Sequence, residues 1–323
     1  MRALVTGILG QDGSYIADLL IEKGYEVFGL VRRTGSDGSA RLWRIQHLLP
    51  RLRLLDGDLT DQTSIVHALN QAKPDEIYSL GAQSFVRYSF DAPASTSDVT
   101  GLGALRLFDA ARAVCPGAKI FQASSSEMFG DAPPPQHERT PMDPCSPYGV
   151  AKLFAHKMAQ VYRKSYGMFI ACGISFNHES GRRGSEFVTR KITLGGALIK
   201  AGLQQQLSLG NLDSKRDWSY APEIMEAAWL MLQQDMPDDY VLASGETHTV
   251  REFLEKVFAK LELDVEDHVI FDPSHIRPAE VPILCGDASK AKDKLGWSTQ
   301  TTFDELVDIM VDADCERVLQ QVG

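Results

Sequence analysis

The chain has 323 residues, 44% of them hydrophobic, long enough for a large core split between a main domain and a lobe. A formal charge of −10 without a long basic run argues against general nucleic-acid affinity, and no apolar run approaches the ~18 residues of a membrane span. Met1-Arg2 leads straight into a strand pattern, so a cytoplasmic protein is expected; the five cysteines lack C-x-x-C spacing and read as reduced thiols, with no disulfide framework and no metal site.

Arg2–Thr6 reads as a buried strand, followed by a glycine turn, a helix carrying Tyr15, Ile16, Leu19, Leu20 and Ile21, and a second strand over Glu26–Val31. This is a β-α-β unit. The rhythm continues with a strand at Leu52–Leu55, a helix near Thr63–Gln71, a strand at Glu76–Ser79, a long helix near Ser97–Val114 and a strand at Lys119–Ala123. Alternation of this kind predicts an α/β fold, a Rossmann-type doubly wound parallel sheet. The Pro-rich stretch from Ala132 to Pro147 is a loop, and Pro147 suits the first turn of the next helix. After Asn177 the regularity weakens: His178–Gly184 and Arg216–Trp218 interrupt it, which suits a lobe built of loops and inserted helices. Residues 1–176 are therefore expected to bind the cofactor, with a later segment near 213–245 returning to that domain, and 177–323 to form mainly a smaller α/β lobe for substrate.

Gly7, Gly10 and Gly13 lie between a strand and a helix, where absent side chains let backbone approach a pyrophosphate at a helix N-terminus. The spacing is similar to that of extended short-chain dehydrogenase/reductases. The second strand ends in Arg32-Arg33-Thr34, where an NAD site would offer an acid to the ribose, so NADP is favoured over NAD. Asp58 and Leu59 follow the third strand, at a segment that lies against adenine in such proteins; an Asp there can also cap a turn. Leu80, Gly81 and Ala82 follow the fourth strand, where small residues let a cofactor pass.

Tyr148 and Lys152 are one helical turn apart and share a face, so an ammonium, with the charge of oxidised nicotinamide, would depress the phenol pKa and let it take a hydroxyl proton as hydride leaves the same carbon. Ser125 and Glu127 stand at the C-terminal end of a strand, offering a hydroxyl for the reacting oxygen and a carboxylate for a carbon-bound proton.

The stretches Thr6–Tyr15, Gln122–Glu127, Ser146–Lys152, Phe176–Ser180, Arg182–Gly184, Phe187–Lys191, Leu209–Ser214, Arg216–Trp218 and Arg277–Val281 together resemble GDP-mannose 4,6-dehydratases over nearly the whole chain. The resemblance implies that Ser125, Glu127, Tyr148 and Lys152 are catalytic. It places Gln11, Asp12, His178 and Arg183 with the glycines, Arg32, Arg33, Asp58, Leu59 and Leu80–Ala82 at the cofactor, and Ser84, Asn177, Val188, Lys191, Arg216, Arg277 and Glu280 at a GDP-sugar. It implies oxidation at C4, elimination of water across C5 and C6, and hydride return to C6, in a homodimer or homotetramer. Rival readings are a GDP-4-keto-sugar reductase, a nucleotide-sugar epimerase, and a GDP-manno-heptose dehydratase. The last is motivated by departures in the loop bordering the sugar, where Phe85 replaces the usual histidine and Arg87 and Tyr88 replace small residues. Serine replaces threonine at 125, Gly181 replaces a proline, and Ser36–Leu49 diverges where relatives assemble tetramers.

Overall fold

The structure is a computed structural model and describes residues 1–32, 39–273 and 279–322. Seven parallel strands form the central sheet: β1 (Arg2–Thr6), β2 (Glu26–Val31), β3 (Leu52–Asp56), β4 (Glu76–Ser79), β5 (Lys119–Ser125), β6 (Ile170–Ser175) and β7 (Asp239–Leu242). Their order, β7-β6-β5-β4-β1-β2-β3, reverses direction of growth between β1 and β4. That switch point opens a crevice at the strands' C-terminal ends.

The principal helices are α1 (Gln11–Glu22), α2 (Gln62–Ala72), α3 (Gly103–Val114), α4 (Pro147–Tyr166), α5 (Val188–Lys200), α6 (Ala221–Leu232), α7 (Val250–Lys260) and α8 (Phe303–Val322). Apolar residues of α1 and α6, among them Ile16, Leu20, Ile224 and Met231, cover one face of the sheet. Leu69, Leu107, Phe108 and Ala155 of α2, α3 and α4 cover the other. A separate core of Ile192, Phe253, Phe258, Leu306 and Met310 binds α5, α7 and α8 into the lobe. Local sequence sets the ends of α4 sharply: the Ser146 hydroxyl accepts from the Gly149 N–H at 3.0 Å, Pro147 opens the first turn, and Gly167 closes the helix at φ +66°.

Two elements differ from the periodicity. The helix expected from Ser97 begins at Pro93, and Ser97–Leu102 is a π-helical stretch leading into α3. Gly101 and Gly103 let it press against α4 and Leu59, since a Cβ at these positions would come within 3.3 Å of Phe154 and 2.9 Å of Leu59. The segments read as breaks in rhythm are instead paired: Asn177–Glu179 runs parallel to Trp218–Tyr220, a two-stranded sheet beside the crevice. Strands of three residues are too short to carry an alternation signal.

Candidate active site

A cavity of about 1460 Å³ runs along the C-terminal ends of the sheet. The glycine turn forms its floor. Gly7 has φ +70°, and a Cβ on Gly13 would lie 2.3 Å from the Gly7 carbonyl oxygen, so α1 can start this close to β1 only without side chains. The Thr6 hydroxyl accepts from the N–H groups of Leu80 and Gly81, both at 3.0 Å, fastening the end of β4 to the end of β1.

The expected site residues Gly7, Gly10, Gln11, Asp12, Gly13, Arg32, Asp58, Leu59, Leu80, Gly81, Ala82, Ser84, Ser125, Glu127, Tyr148, Lys152, Asn177, His178 and Arg183 all line this one cavity. Val188, Lys191, Arg216 and Glu280 do not line it, and Arg33 and Arg277 lie outside the described residues. Arg216 is buried and pairs with Glu280 at 2.8 Å, away from the cavity. Asp58 points one carboxylate oxygen at Thr60, accepting from its N–H at 2.9 Å and its hydroxyl at 2.8 Å, which is the turn-capping alternative. Phe85, Arg87 and Tyr88 are not among the lining residues: Arg87 pairs with Asp91 at 3.0 Å, Tyr88 is exposed, and the Phe85 ring stands edge-on to Phe187 at 5.8 Å.

At the end of β5, the strand delivers Ser125 and a one-turn helix at Ser126–Met128 delivers Glu127, whose N–H donates to the Ser125 hydroxyl at 3.2 Å. α4 brings Tyr148 and Lys152 against them. Gly149 permits this approach, because a Cβ there would lie 2.7 Å from the Glu127 carbonyl oxygen. Burial pushes the Tyr148 phenol well above its ordinary range, the nearby Glu127 carboxylate adds to that, and a hydrogen bond with Ser125 partly opposes it. Depression of the phenol by Lys152 is therefore not what the protein alone provides. Lys152 Nζ donates to the Ala123 carbonyl at 2.7 Å and sits 5.7 Å from the centre of the Tyr148 ring; burial lowers its own pKa to about 8.

Asp12 and His178 meet on the cavity wall at the first turn of α1. His178 Nε2 lies 3.0 Å from the Asp12 carboxylate and Nδ1 lies 2.7 Å from the Phe176 carbonyl. Both ring nitrogens thus face acceptors, the arrangement of an imidazolium. Burial would lower the His178 pKa, but Asp12 outweighs it and raises it; burial would raise Asp12, but His178 holds it well below the usual carboxylate range. His156 is the opposite case. Its Nδ1 meets the Ser124 hydroxyl at 2.9 Å and its Nε2 meets the Gln160 amide nitrogen at 3.1 Å, so Nε2 accepts and the ring is neutral, its pKa lowered by burial to about 4. His156, Cys172 and Asp239 lie close enough to ligate an ion. Asp239, however, accepts from Arg163 and Gln160 at 2.7 and 2.8 Å, and that guanidinium occupies the cluster.

Motif reading missed Ser124, Arg44, Arg190 and Arg317, which also line the cavity. Arg190 stood inside a singled-out run, Phe187–Lys191, whereas nothing near Arg317 in the last helix marks it. Burial pushes the Arg44 guanidinium down to about 10, with Arg41 beside it acting in the same direction.

The model of the family described as GDP-mannose 4,6 dehydratase matches residues 4–310. GDP-mannose 4,6 dehydratase 1 of Arabidopsis thaliana is 51% identical over 335 residues, covering 99% of this chain and 93% of its own. The human GDP-mannose 4,6 dehydratase is 48% identical over 339 residues, covering 97% and 91%. Among solved structures, a UDP-glucose 4-epimerase of Thermus thermophilus in complex with NAD superposes with a TM-score of 0.84 at 25% identity, over 97% of this chain and 99% of that one. With the sheet order, the crevice and near full-length likeness agreeing, this chain belongs to the GDP-mannose 4,6-dehydratase family.

Proposed function

We propose that the protein is a GDP-mannose 4,6-dehydratase that binds NADP and returns it unchanged in each turnover. The observation that carries this reading is the convergence of Ser125, Glu127, Tyr148 and Lys152 on the same cavity as the glycine cradle, in a chain of this family. The cradle fits a dinucleotide, since the positions nearest the α1 N-terminus have no room for a Cβ. Gly7, Gly10, Gly13, Gln11 and Leu80–Ala82 would hold it, with Arg32 at the end of β2 favouring a 2′-phosphate. When bound, the cofactor supplies a reversible hydride acceptor and, oxidised, a positive charge.

Tyr148 takes the 4-hydroxyl proton, with Ser125 hydrogen-bonded to that oxygen and Lys152 fixed on Ala123 beside the phenol. With hydride also lost from C4, for which the bound cofactor would be the acceptor, a 4-ketone would result and acidify C5–H, an essential step because an unactivated sugar C–H is far too weak an acid for a carboxylate. Glu127 removes that proton and, now protonated, passes it to the 6-hydroxyl, which leaves as water. Asn177 on the cavity wall, with Val188, Lys191, Arg216 and Glu280 outside the lining, is read as the GDP end of the site, and Arg277, which lies outside the described residues, is assigned to it on the family resemblance alone. Phe85, Arg87 and Tyr88 are not among the residues that line the cavity, which favours a hexose over a manno-heptose. We take residues 1–176, with a return near 213–245, as the cofactor-binding part. Exposed Val150, Phe154 and Val161, which follow one stripe of α4 beside exposed Leu102, support a homo-oligomer packed on that face.

Incubation with GDP-mannose and mass analysis tests the reading: the wild type should lose one water with catalytic NADP. Glu127→Gln should form the 4-ketone and accumulate reduced cofactor without losing water. Normal dehydration by that variant would reject Glu127 as the base, whereas stoichiometric NADPH consumption without loss of water by the wild type favours a reductase, and conversion with no change of mass an epimerase.

A further inference from the structure

The loop that carries Arg182 and Arg183 is held through its backbone, and the groups that hold it come from three separate elements. Arg190 of α5 donates from one terminal nitrogen to the Gly181 carbonyl at 2.7 Å and to the Arg183 carbonyl at 2.9 Å. Arg44 donates to the carbonyl between them, that of Arg182, at 2.7 Å. Arg317 of α8 reaches the Gly181 carbonyl at 3.2 Å. Three successive carbonyls are thus satisfied by guanidinium groups.

Arg190 is itself fixed. Its Nε lies 2.7 Å from both carboxylate oxygens of Asp314, which also accepts from the Thr193 hydroxyl at 2.7 Å, and both members of the ion pair are almost wholly buried. Asp314 belongs to α8, near the end of the described chain, and a Cβ on Gly181 would lie 2.6 Å from that of Ala313. Glycine at 181 lets the loop lie directly on α8, an approach that the proline expected from the family resemblance would obstruct.

The orientation of the loop decides where its side chains go. Arg183 stands 3.1 Å from Glu179 and 3.7 Å over the Phe187 ring, on the cavity wall, while Arg182 reaches Asp18 of α1 at 2.6 Å. We propose that the buried Arg190–Asp314 pair is a positioning device by which the C-terminal helix sets the twin-arginine loop and so presents Arg183 to the cofactor. It rests on the reading of Arg183 as a cofactor ligand. A buried guanidinium is suited to this task because its planar fork can bind a carboxylate on one edge and two carbonyls on another, which a lysine cannot.

The test is a double-mutant cycle on NADPH affinity, measured by fluorescence titration, with thermal unfolding recorded for every protein. Replacing the pair by apolar residues of similar length, Arg190→Met with Asp314→Leu, keeps the core filled and strands no buried charge, since Arg317, 3.5 Å from Asp314, is partly exposed and keeps its bond to the Gly181 carbonyl. This variant is expected to unfold near the wild-type temperature and to bind NADPH about tenfold more weakly or worse. Arg183→Ala is expected to weaken binding comparably. Combining the two should weaken it no further than Arg183→Ala alone, because the pair acts through Arg183. Equal additional weakening in the Arg183→Ala background would show general structural support and overturn the inference, leaving the role of Arg183 intact. Wild-type affinity in Arg183→Ala would instead remove the cofactor role, and the inference with it. Should the apolar pair not fold, Thr193→Val loosens Asp314 while preserving shape. A several-fold loss that disappears in the Arg183→Ala background supports the proposal, and the same loss in both backgrounds overturns it.

Discussion

Tyr148 and Lys152 share a helix face, yet the lysine reaches the Ala123 carbonyl and burial keeps the phenol protonated in the protein alone. On the proposed function, Tyr148 would work as a base only when the substrate hydroxyl and a cationic nicotinamide stand beside it. Tyr148→Phe, which leaves the ring in place and removes the oxygen, should reduce turnover by at least about a hundredfold. NADPH titration should give nearly unchanged affinity, and turnover within a few-fold of wild type would reject Tyr148 as the proton acceptor. The Arg32 reading has its own check in the ratio of NADP to NAD affinity. Calorimetry should find NADP bound more tightly, with Arg32→Ala eroding the preference; equal affinities would make Arg32 a solvated turn residue. Arg33 belongs to the same motif but lies outside the described residues.

Between elements, the Asp12–His178 pair joins the first turn of α1 to the strand Asn177–Glu179, 166 residues away in sequence. The sign of its pH dependence follows from the two shifts. The His178 pKa is raised above its ordinary 6.5, so its contribution to stability is full below that value and is lost as pH rises through the folded pKa. The Asp12 pKa is lowered from 3.8, so its contribution is present above that value and is lost only as pH falls through the folded pKa. The pair should therefore stabilise the protein most between about pH 4 and 6.5. Thermal unfolding of wild type and His178→Gln from about pH 5 to 9 should show the wild-type advantage shrinking as pH rises. A difference that stays constant over this range would mean that His178 is not charged. Other joints are more legible locally: Ser146, Pro147 and Gly167 announce the ends of α4, because capping and left-handed backbone depend on neighbouring residues alone.

At the scale of the whole molecule, the sheet and the lobe have separate cores, and the cavity lies where the sheet's strand ends meet loops from both parts. The uncovered apolar stripe of α4 lies on the far side of the helix from the buried Tyr148 and Lys152. If a second copy packs there, Phe154→Asp should shift the protein to single-chain mass in light scattering while leaving its far-ultraviolet dichroism unchanged. An unaltered oligomer would move the interface elsewhere, and the diverged Ser36–Leu49 stretch would be the next segment to vary.

What the sequence determined by itself is what neighbouring residues can encode. The β-α-β rhythm follows from hydrophobic period, the glycine turn from positions where no Cβ fits, and the shared face of Tyr148 and Lys152 from helical spacing. Three-residue strands such as Asn177–Glu179 escaped it because so short a segment has no period to detect. Tertiary structure decided what depends on groups far apart in the chain. Burial among such groups raises the Tyr148 phenol, a distant aspartate raises the His178 pKa, and Phe85, Arg87 and Tyr88 stay out of the cavity lining although Ser84 and Val86 beside them belong to it. The grip on the Gly181–Arg183 carbonyls belongs here too, since Arg44, Arg190 and Arg317 come from unrelated segments. Local conformation is a property of neighbours along the chain, whereas dielectric, charge pairing and hydrogen-bond satisfaction are properties of whatever folding brings together.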